Sequence, residues 1–175
     1  GVFERLVLES FQSGLSWSTI LKKRQAFRTT FASFIPEAVA AFTDQDRERL
    51  MQDAGIVRNK RKIDAAITNA RAVIALRSAL AAEADVHRAG RMGEAPLTHL
   101  LRPRQSYPRH LGELAWLYQP NHQPRPKNAG EVPAQTEESR ALSLELKRRG
   151  FVFVGPVTAL ALMSAIGITN TDIIG

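Results

Sequence analysis

The sequence contains one run that could form a β-strand, and it contains no second strand for that run to pair with. The run is Phe-Val-Phe-Val at residues 151–154, and an isolated strand leaves its backbone donors and acceptors without partners. Elsewhere apolar residues recur at helical spacing, as Phe3, Leu6, Val7 and Phe11 do. The chain is therefore expected to be all-α, a succession of helices with short connections.

Capping and helix-breaking residues predict the bounds of these helices. A first helix is expected to end at Ser13 and Gly14, a short one to start at Pro36, and another to run from a Thr43 cap to about Asp53. Further helices are predicted at residues 16–33, 59–84, 112–118, 136–149, where Thr136 is the expected cap, and 157–166. The rest of the proline-rich stretch 85–133, which holds all four histidines, is expected to be mostly loop.

Composition excludes several classes of protein. With 175 residues and 44% hydrophobic content, the chain is expected to form one globular domain, residues 1–175. It has no cysteine, which excludes disulfides, thiol nucleophiles and thiolate-bound metals within this chain. No apolar run reaches the roughly 20 residues of a bilayer span, and the first residues lack the order of a signal peptide. We therefore expect an intracellular protein without a membrane partner, whose candidate catalysts are carboxylates, histidines and hydroxyls.

The positive charge points to a polyanionic partner. The formal net charge is +7 and the sequence pI is about 10.4, and basic side chains that neutralise phosphates release condensed counterions. These side chains cluster at residues 22–28, 58–62, 102–109 and 147–149. Any one cluster could be a solvated face or a helix end, but four of them with few acids between favour nucleic acid.

The turn before the last predicted helix is a candidate phosphate-binding element. Gly155 and Pro156 precede an alanine-rich helix, and such a turn exposes backbone N–H groups at a helix N-terminus. These groups can hold a phosphate without reading base sequence. The alternative is a plain helical hairpin packed in the core.

This turn resembles the hairpin of the helix-hairpin-helix DNA glycosylase superfamily. Gly-Pro at 155–156 is followed by a helix and Gly167, and Gly-x-x-Arg-Asn-Lys at 55–60 resembles a second motif of the superfamily. The position of the superfamily's catalytic Asp falls on Asn170. The implied fold is an all-α helix-hairpin-helix glycosylase domain.

A closer resemblance is to the 3-methyladenine DNA glycosylase I family. Five segments carry it, in the order LESFQSGLSW at 8–17, ILKKR at 20–24, DAGI at 53–56, NHQP at 121–124 and KRRGFVFVG at 147–155. The resemblance spans residues 1–84 and 112–175. Residues 85–110 are interpreted as an extended Pro/Arg-rich loop insertion, to which the resemblance assigns no role.

The resemblance implies a site for a flipped, alkylated base. Methylation at N3 makes adenine cationic and weakens its glycosidic bond, so such an enzyme needs selective capture of a cationic base more than it needs a strong acid. By resemblance, Glu9 is the catalytic, base-binding carboxylate, and Trp17 supplies the aromatic face for the base. From spacing alone, Glu9 would be a solvated helix carboxylate and Trp17 a core aromatic.

The resemblance also implies contacts with DNA. Gln12 and Leu15 match positions at the edge of the DNA stack, where a polar filler and an apolar wedge replace the flipped base, although both could be packing residues. The other expected DNA contacts are Lys22, Lys23, Arg58, Lys60, Phe153, Gly155 and Thr158. His122 is expected to be a loop histidine and not a general base.

Two departures from the family pattern concern its ends. The family begins with a further segment that carries a Cys, a Tyr-His-Asp and a Glu-Trp-Gly motif, and this segment would precede Gly1, so the domain is expected to lack its N-terminal part. The family also binds a structural zinc through that Cys and His and through a late His and Cys. Asp172 stands at the late His position, and the chain ends at Gly175. We therefore expect no zinc and no other cofactor.

The expected function is DNA base-excision repair, in which the protein flips out 3-methyladenine and hydrolyses its glycosidic bond. The expected partner is double-stranded DNA containing alkylated adenine, bound by a monomer in the bacterial cytoplasm, at the nucleoid. An alternative is a non-catalytic helix-hairpin-helix DNA-binding module. A helical protein-interaction domain is a third possibility, but it leaves the basic clusters without a use.

Overall fold

The computed structural model describes residues 1–90, 95–123 and 125–169. In these residues all regular secondary structure is helical, and Phe151–Val154 forms no strand. The all-α prediction is therefore confirmed. The α-helices are α1 Val2–Gln12, α2 Trp17–Thr30, α3 Pro36–Ala40, α4 Asp44–Met51, α5 Lys60–Arg88, α6 Leu111–Trp116, α7 Glu137–Arg148 and α8 Pro156–Ala165, with 3-10 turns at Ala32–Phe34, Thr98–Leu100 and Ala129–Glu131.

Side-chain caps fix where most helices begin. Thr43 and Thr136 form capping boxes at α4 and α7, each accepting from the third backbone N–H of its helix. Ser16 and Asn59 cap α2 and α5 in the same way with one side-chain hydrogen bond each. The caps that the sequence predicts at Thr43 and Thr136 are confirmed.

Two predicted helix ends are wrong. The helix predicted at 16–33 ends at Thr30, because Ala32, Ser33 and Phe34 have left-handed φ angles of 50°, 56° and 56° that no α-helix accommodates. The helix predicted to end at residue 84 continues to Arg88, because no helix breaker precedes Gly90, whose φ of 79° ends the run. The first four residues of the predicted 85–110 loop are therefore helical.

Helix α5 is the centre of the fold. It packs against α1, α3, α4 and α6 and buries one long apolar stripe that includes Ile63, Ile67, Leu76 and Leu80. Each fully buried Leu or Ile side chain contributes about 1.5–3 kcal/mol through removal of apolar surface from water. None of the helices in the described part of the chain is both long and apolar enough to cross a membrane.

Helix α1 is buried on nearly all sides, since it contacts α2, α5, α6 and α8. Leu6, Leu8 and Phe11 are fully buried on it. Glu9 and Ser10 are also buried there, and a buried polar group is stable only when it finds a partner. The fold thus brings two polar side chains of α1 into the interior beside α8.

Candidate active site

An open cavity of about 470 Å³ lies between α1, the start of α2, residues 132–134 and α8. Glu9, Gln12 and Trp17, three of the residues singled out from the sequence, line it together with Arg5. The wall formed by α8 is mostly apolar and includes Val157 and Leu160. Most of the wall thus offers an apolar surface, and the charge is confined to α1.

Glu9 is the buried carboxylate of this cavity, with a relative exposure of 6%. Burial raises the pKa of its carboxyl above the ordinary value, and the nearby Arg5 guanidinium offsets this only in part. Glu9 also lies in the last turn of α1, where the helix dipole disfavours a negative charge. The position therefore costs stability, which indicates a functional reason for the carboxylate.

A second buried glutamate on the same helix behaves in the opposite way. Glu4 accepts hydrogen bonds from Arg28 Nε at 2.6 Å and Arg24 Nε at 3.3 Å. Burial acts to raise the pKa of Glu4, but the two arginines bring it below its ordinary value. Glu4 is thus held as a structural ion pair between α1 and α2, whereas Glu9 is left with one partner and an open cavity.

Arg5 is a cavity residue that the sequence analysis missed. Its Nε donates to Glu9 Oε1 at 2.9 Å, and its Cζ lies 4.3 Å from the centroid of the half-buried Trp17 ring. The available signal was its position four residues before Glu9, on the same helix face. Such a pair is usual on exposed helices, so the spacing alone did not indicate a cavity.

The turn after α1 presents the predicted wedge. Leu15 is 37% exposed, and Gln12 Nε2 donates to the Leu15 carbonyl at 2.9 Å. Lys62 of α5 holds the same turn, since its Nζ donates to the carbonyls of Phe11 at 2.9 Å and Ser13 at 2.7 Å. The turn is therefore fixed, and Leu15 projects from it without lining the cavity.

The hairpin at residues 150–155 is held by side chains of three helices. Asn69, 1% exposed in α5, donates to the Val152 carbonyl at 2.9 Å and accepts from the Val152 N–H at 2.8 Å. Ser143 of α7 donates to the Val154 carbonyl at 2.7 Å. The Ser10 hydroxyl, next to Glu9 on α1, shares its proton between the Leu6 carbonyl at 2.9 Å and the Phe153 carbonyl at 3.3 Å. Through Ser10 the hairpin is joined to the helix that carries the buried carboxylate.

The tip of the hairpin and the start of α8 face solvent. Phe153 is 40% exposed and has a left-handed φ of 57°, and Arg61 lies over its ring at 5.5 Å. Gly155 is the N-cap of α8 and makes no side-chain cap hydrogen bond. The first N–H groups of α8, including that of Thr158, therefore have no side-chain cap, an arrangement that suits an anionic ligand.

The basic clusters divide into exposed and structural residues. Lys22, Arg58 and Lys60 are exposed, and of these only Lys60 pairs with a described residue, Asp64, at 3.5 Å. Lys23 is half-buried and donates to the Ala54 carbonyl at 3.1 Å. Two of the three basic residues in the 147–149 cluster form ion pairs within the protein. Arg149 is 10% exposed and binds Glu83 and Glu145, each at 2.8 Å, and Arg148 also binds Glu145.

The residues that the structure describes do not form a metal site. Across residues 1–90, 95–123 and 125–169, no three His, Asp or Glu side chains lie close enough together to hold an ion. His122 is exposed and lies outside the cavity. Asn170 and Asp172, at the positions of the superfamily Asp and the late zinc ligand, lie outside the described residues, as does Pro124 of the NHQP motif.

Comparison with known proteins gives consistent matches over nearly the whole chain. A family model described as methyladenine glycosylase matches residues 1–91 and 97–175. The chain is 38% identical over 177 residues to DNA-3-methyladenine glycosylase 1 of Escherichia coli (strain K12), covering 99% of this chain and 79% of that one. Within the predicted 85–110 insertion, only residues 92–96 fall outside the family match.

Solved structures give the same result. A crystal structure of 3-methyladenine DNA glycosylase I has a TM-score of 0.75 and 34% identity, covering 99% of this chain and 81% of that one. A substituted form of 3-methyladenine DNA glycosylase I, solved in complex with 3-methyladenine, has a TM-score of 0.77 and 28% identity, covering 98% of this chain and 78% of that one.

Proposed function

The chain belongs to the methyladenine glycosylase family, and on that premise we propose that the cavity beside Glu9 and Trp17 receives the flipped base. The activity is that of a DNA glycosylase of base-excision repair, which releases 3-methyladenine from alkylated DNA. The observation that carries the proposed site is Glu9, a buried carboxylate with a raised pKa in an otherwise largely apolar cavity. A cationic base is the ligand that such a carboxylate favours over a neutral one.

The chemistry requires little acid catalysis. Cleavage of the bond between C1′ and N9 leaves the electron pair on the base, which departs neutral, and the positive charge passes to the sugar. Water then adds at C1′ and loses a proton. The Glu9 carboxylate favours binding of the cationic base and stabilises the positive charge that develops on the sugar as the bond breaks. Trp17 supplies a ring face for stacking, worth about 0.5–2 kcal/mol for a cation.

The DNA-contacting surface is proposed to be the hairpin and the turn after α1. The uncapped N–H groups of α8, including that of Thr158, and the exposed backbone of Gly155 are suited to hold a backbone phosphate without base readout. Leu15 is exposed as a wedge, with Gln12 beside it at the cavity rim. Phe153 offers a second apolar contact next to the phosphate.

Basic side chains extend this surface. The exposed Lys22 and Arg58 are proposed phosphate contacts, with Lys23 and Lys60 contributing beside their protein partners. The partner is proposed to be double-stranded DNA, bound by a monomer, and the setting the bacterial cytoplasm and nucleoid. No cofactor is proposed, since glycosidic hydrolysis of a cationic base needs only water and the described residues do not fit a metal.

The test is incubation of the purified protein with methylated duplex DNA and chromatographic identification of the released bases. We expect 3-methyladenine as the main product. Glu9→Gln is the matched variant, since it keeps the side-chain shape and removes the charge. A protein that binds the duplex and releases no base would instead be the non-catalytic DNA-binding module.

A further inference from the structure

Two contacts meet at Arg5 in the candidate active site. Its guanidinium donates to the Glu9 carboxylate at 2.9 Å, and its Cζ lies 4.3 Å from the centroid of the Trp17 ring. Arg5 and Glu9 are the charged side chains among the described residues that line the cavity. Arg5 therefore contacts both side chains, Glu9 and Trp17, that the proposed function assigns to binding of the base.

The guanidinium has the same chemical character as that base. Both are planar, delocalised cations with N–H donors at the edge and a flat face for stacking. A carboxylate binds either one at its edge, and an indole ring attracts either one over its face. Glu9 and Trp17 therefore cannot make these two contacts with the Arg5 guanidinium and with a flipped base at the same time.

Helix stability does not account for the arrangement. An Arg four residues before a Glu is the weaker order of such a pair, and a carboxylate in the last turn opposes the helix dipole. An exposed pair of this kind contributes only about 0.3–0.5 kcal/mol. The additional contact with Trp17, on another helix, turns the guanidinium into the cavity.

We propose that Arg5 is an internal placeholder whose guanidinium takes, in the free protein, the position between Glu9 and Trp17 that a flipped cationic base takes. The inference rests on the proposed function. A cationic base that displaces Arg5 keeps Glu9 paired, whereas a neutral base leaves a buried carboxylate without a partner, which is costly. Arg5 thus weakens the binding of every base, because each base must displace it. Glu9 sets the preference for cationic over neutral bases.

Two small ligands separate these roles. The cation 3,9-dimethyladeninium has the charge of the damaged nucleoside and no sugar to lose, and 9-methyladenine is its neutral counterpart. Their dissociation constants are measured by calorimetry at mildly alkaline pH, well above the ordinary pKa of a glutamate. Arg5→Met keeps an unbranched side chain over Trp17 and removes the charge. We expect it to bind both ligands about three- to tenfold more tightly, because an ion pair and a cation–π contact no longer compete.

The ratio of the two affinities is the second readout. It should stay within about twofold of the wild-type ratio in Arg5→Met, because Glu9 sets it. Arg5→Lys keeps the charge but loses the planar stack, so its affinities should lie between those of the wild type and Arg5→Met. Arg77→Met is the matched control, since it removes an arginine paired with Glu37 outside the cavity and should leave both affinities unchanged.

Base release from methylated duplex DNA by the wild type is measured in parallel. A wild type that releases no 3-methyladenine overturns the proposed function. A wild type that releases it, beside an Arg5→Met variant whose affinity for the cation is unchanged or weaker, overturns the placeholder alone. Tighter binding of both ligands by Arg5→Met, with Arg77→Met unchanged, supports it.

Discussion

Asn69 makes two hydrogen bonds with the backbone of Val152, donating to its carbonyl at 2.9 Å and accepting from its N–H at 2.8 Å. Because Asn69 is fully enclosed in the central helix α5, the hairpin takes its position from the core of the protein. The loop that is proposed to hold a DNA phosphate is therefore preorganised, and it does not have to be ordered when DNA binds.

Replacement of Asn69 tests this relationship. Asn69→Leu leaves the N–H and the carbonyl of Val152 without their partner, so the free energy of unfolding should fall by about 1–3 kcal/mol. Affinity for undamaged duplex DNA should fall as well, measured by fluorescence anisotropy on protein shown to be folded. Ser143→Ala, which removes one hydrogen bond from Val154, should have a smaller effect. Unchanged DNA affinity in Asn69→Leu would show that the hairpin is not the phosphate contact.

Arg149 and Lys147 are neighbours in one basic cluster but should behave differently. Arg149→Met leaves Glu83 and Glu145 without their shared partner, so the free energy of unfolding should fall by roughly 3–5 kcal/mol. Lys147 is exposed beside the hairpin, and Lys147→Met should change stability by less than about 0.5 kcal/mol while weakening DNA binding. Chemical denaturation and anisotropy on both variants check this. Equal stability losses would contradict the division into structural and exposed cations.

No zinc should copurify with this chain. The described residues contain no cluster of His, Asp and Glu that could hold an ion, the chain has no cysteine, and Asp172 stands where the family pattern has a ligand histidine. Elemental analysis of protein purified without chelator should give far less than one zinc per chain, and chelator should leave base release unchanged. Stoichiometric zinc, or loss of activity on chelation, would contradict the prediction.

The sequence predicted the parts of this molecule that depend on local chemistry. The helical periodicity, the Thr43 and Thr136 caps and the unpaired Phe151–Val154 run all led to the observed architecture. The motif around Glu9 and Trp17 led to two residues that line one cavity. These features are encoded within a few residues of each other.

Features that depend on contacts between distant segments could not be predicted. Asn69 and Lys62 are ordinary polar residues of α5 in the sequence. The backbone partner of Asn69 is Val152, 83 residues away, and those of Lys62 are Phe11 in the last turn of α1 and Ser13 after it, 51 and 49 residues away. The Arg149 pairing with Glu83 spans 66 residues. Arg5 had a local signal, but only Trp17 on the next helix turns that signal into a cavity contact.

The pH dependence of base release should reflect Glu9. The ionised carboxylate is the form that favours a cationic base, so activity should fall as pH decreases, with its acid limb above the ordinary glutamate pKa because burial raises the pKa of Glu9. In Arg5→Met the limb should move to still higher pH, since Arg5 lowers that pKa. Single-turnover rates measured across the acid range test this. If Glu9→Gln shows the same acid limb, the limb reports the ionisation of another group.

The same shift predicts how Glu9 affects stability. A raised folded-state pKa means that the folded protein keeps a proton that the unfolded chain releases, so Glu9 lowers stability as pH rises from its ordinary pKa through the raised one. At neutral pH the wild type carries this cost and Glu9→Gln does not. The melting temperature of Glu9→Gln should therefore equal or exceed that of the wild type.

Glu4→Gln is the matched control on the same helix. Glu4 has a lowered pKa through Arg28 and Arg24, so it contributes stability that is present above its ordinary pKa and lost as pH falls through the lowered one. Glu4→Gln should lower the melting temperature at neutral pH. Folded Glu4→Gln should still release 3-methyladenine, because Glu4 does not line the cavity.

The central claim is that Glu9 is a functional carboxylate at the base site, and the most direct measurement is single-turnover release of 3-methyladenine from methylated duplex DNA by Glu9→Gln at neutral pH. We expect release to fall by about tenfold or more, the effect of losing roughly 1.4 kcal/mol or more of charge stabilisation in a buried site. Affinity for undamaged duplex should stay near wild type. Release at the wild-type rate by folded Glu9→Gln would contradict the account.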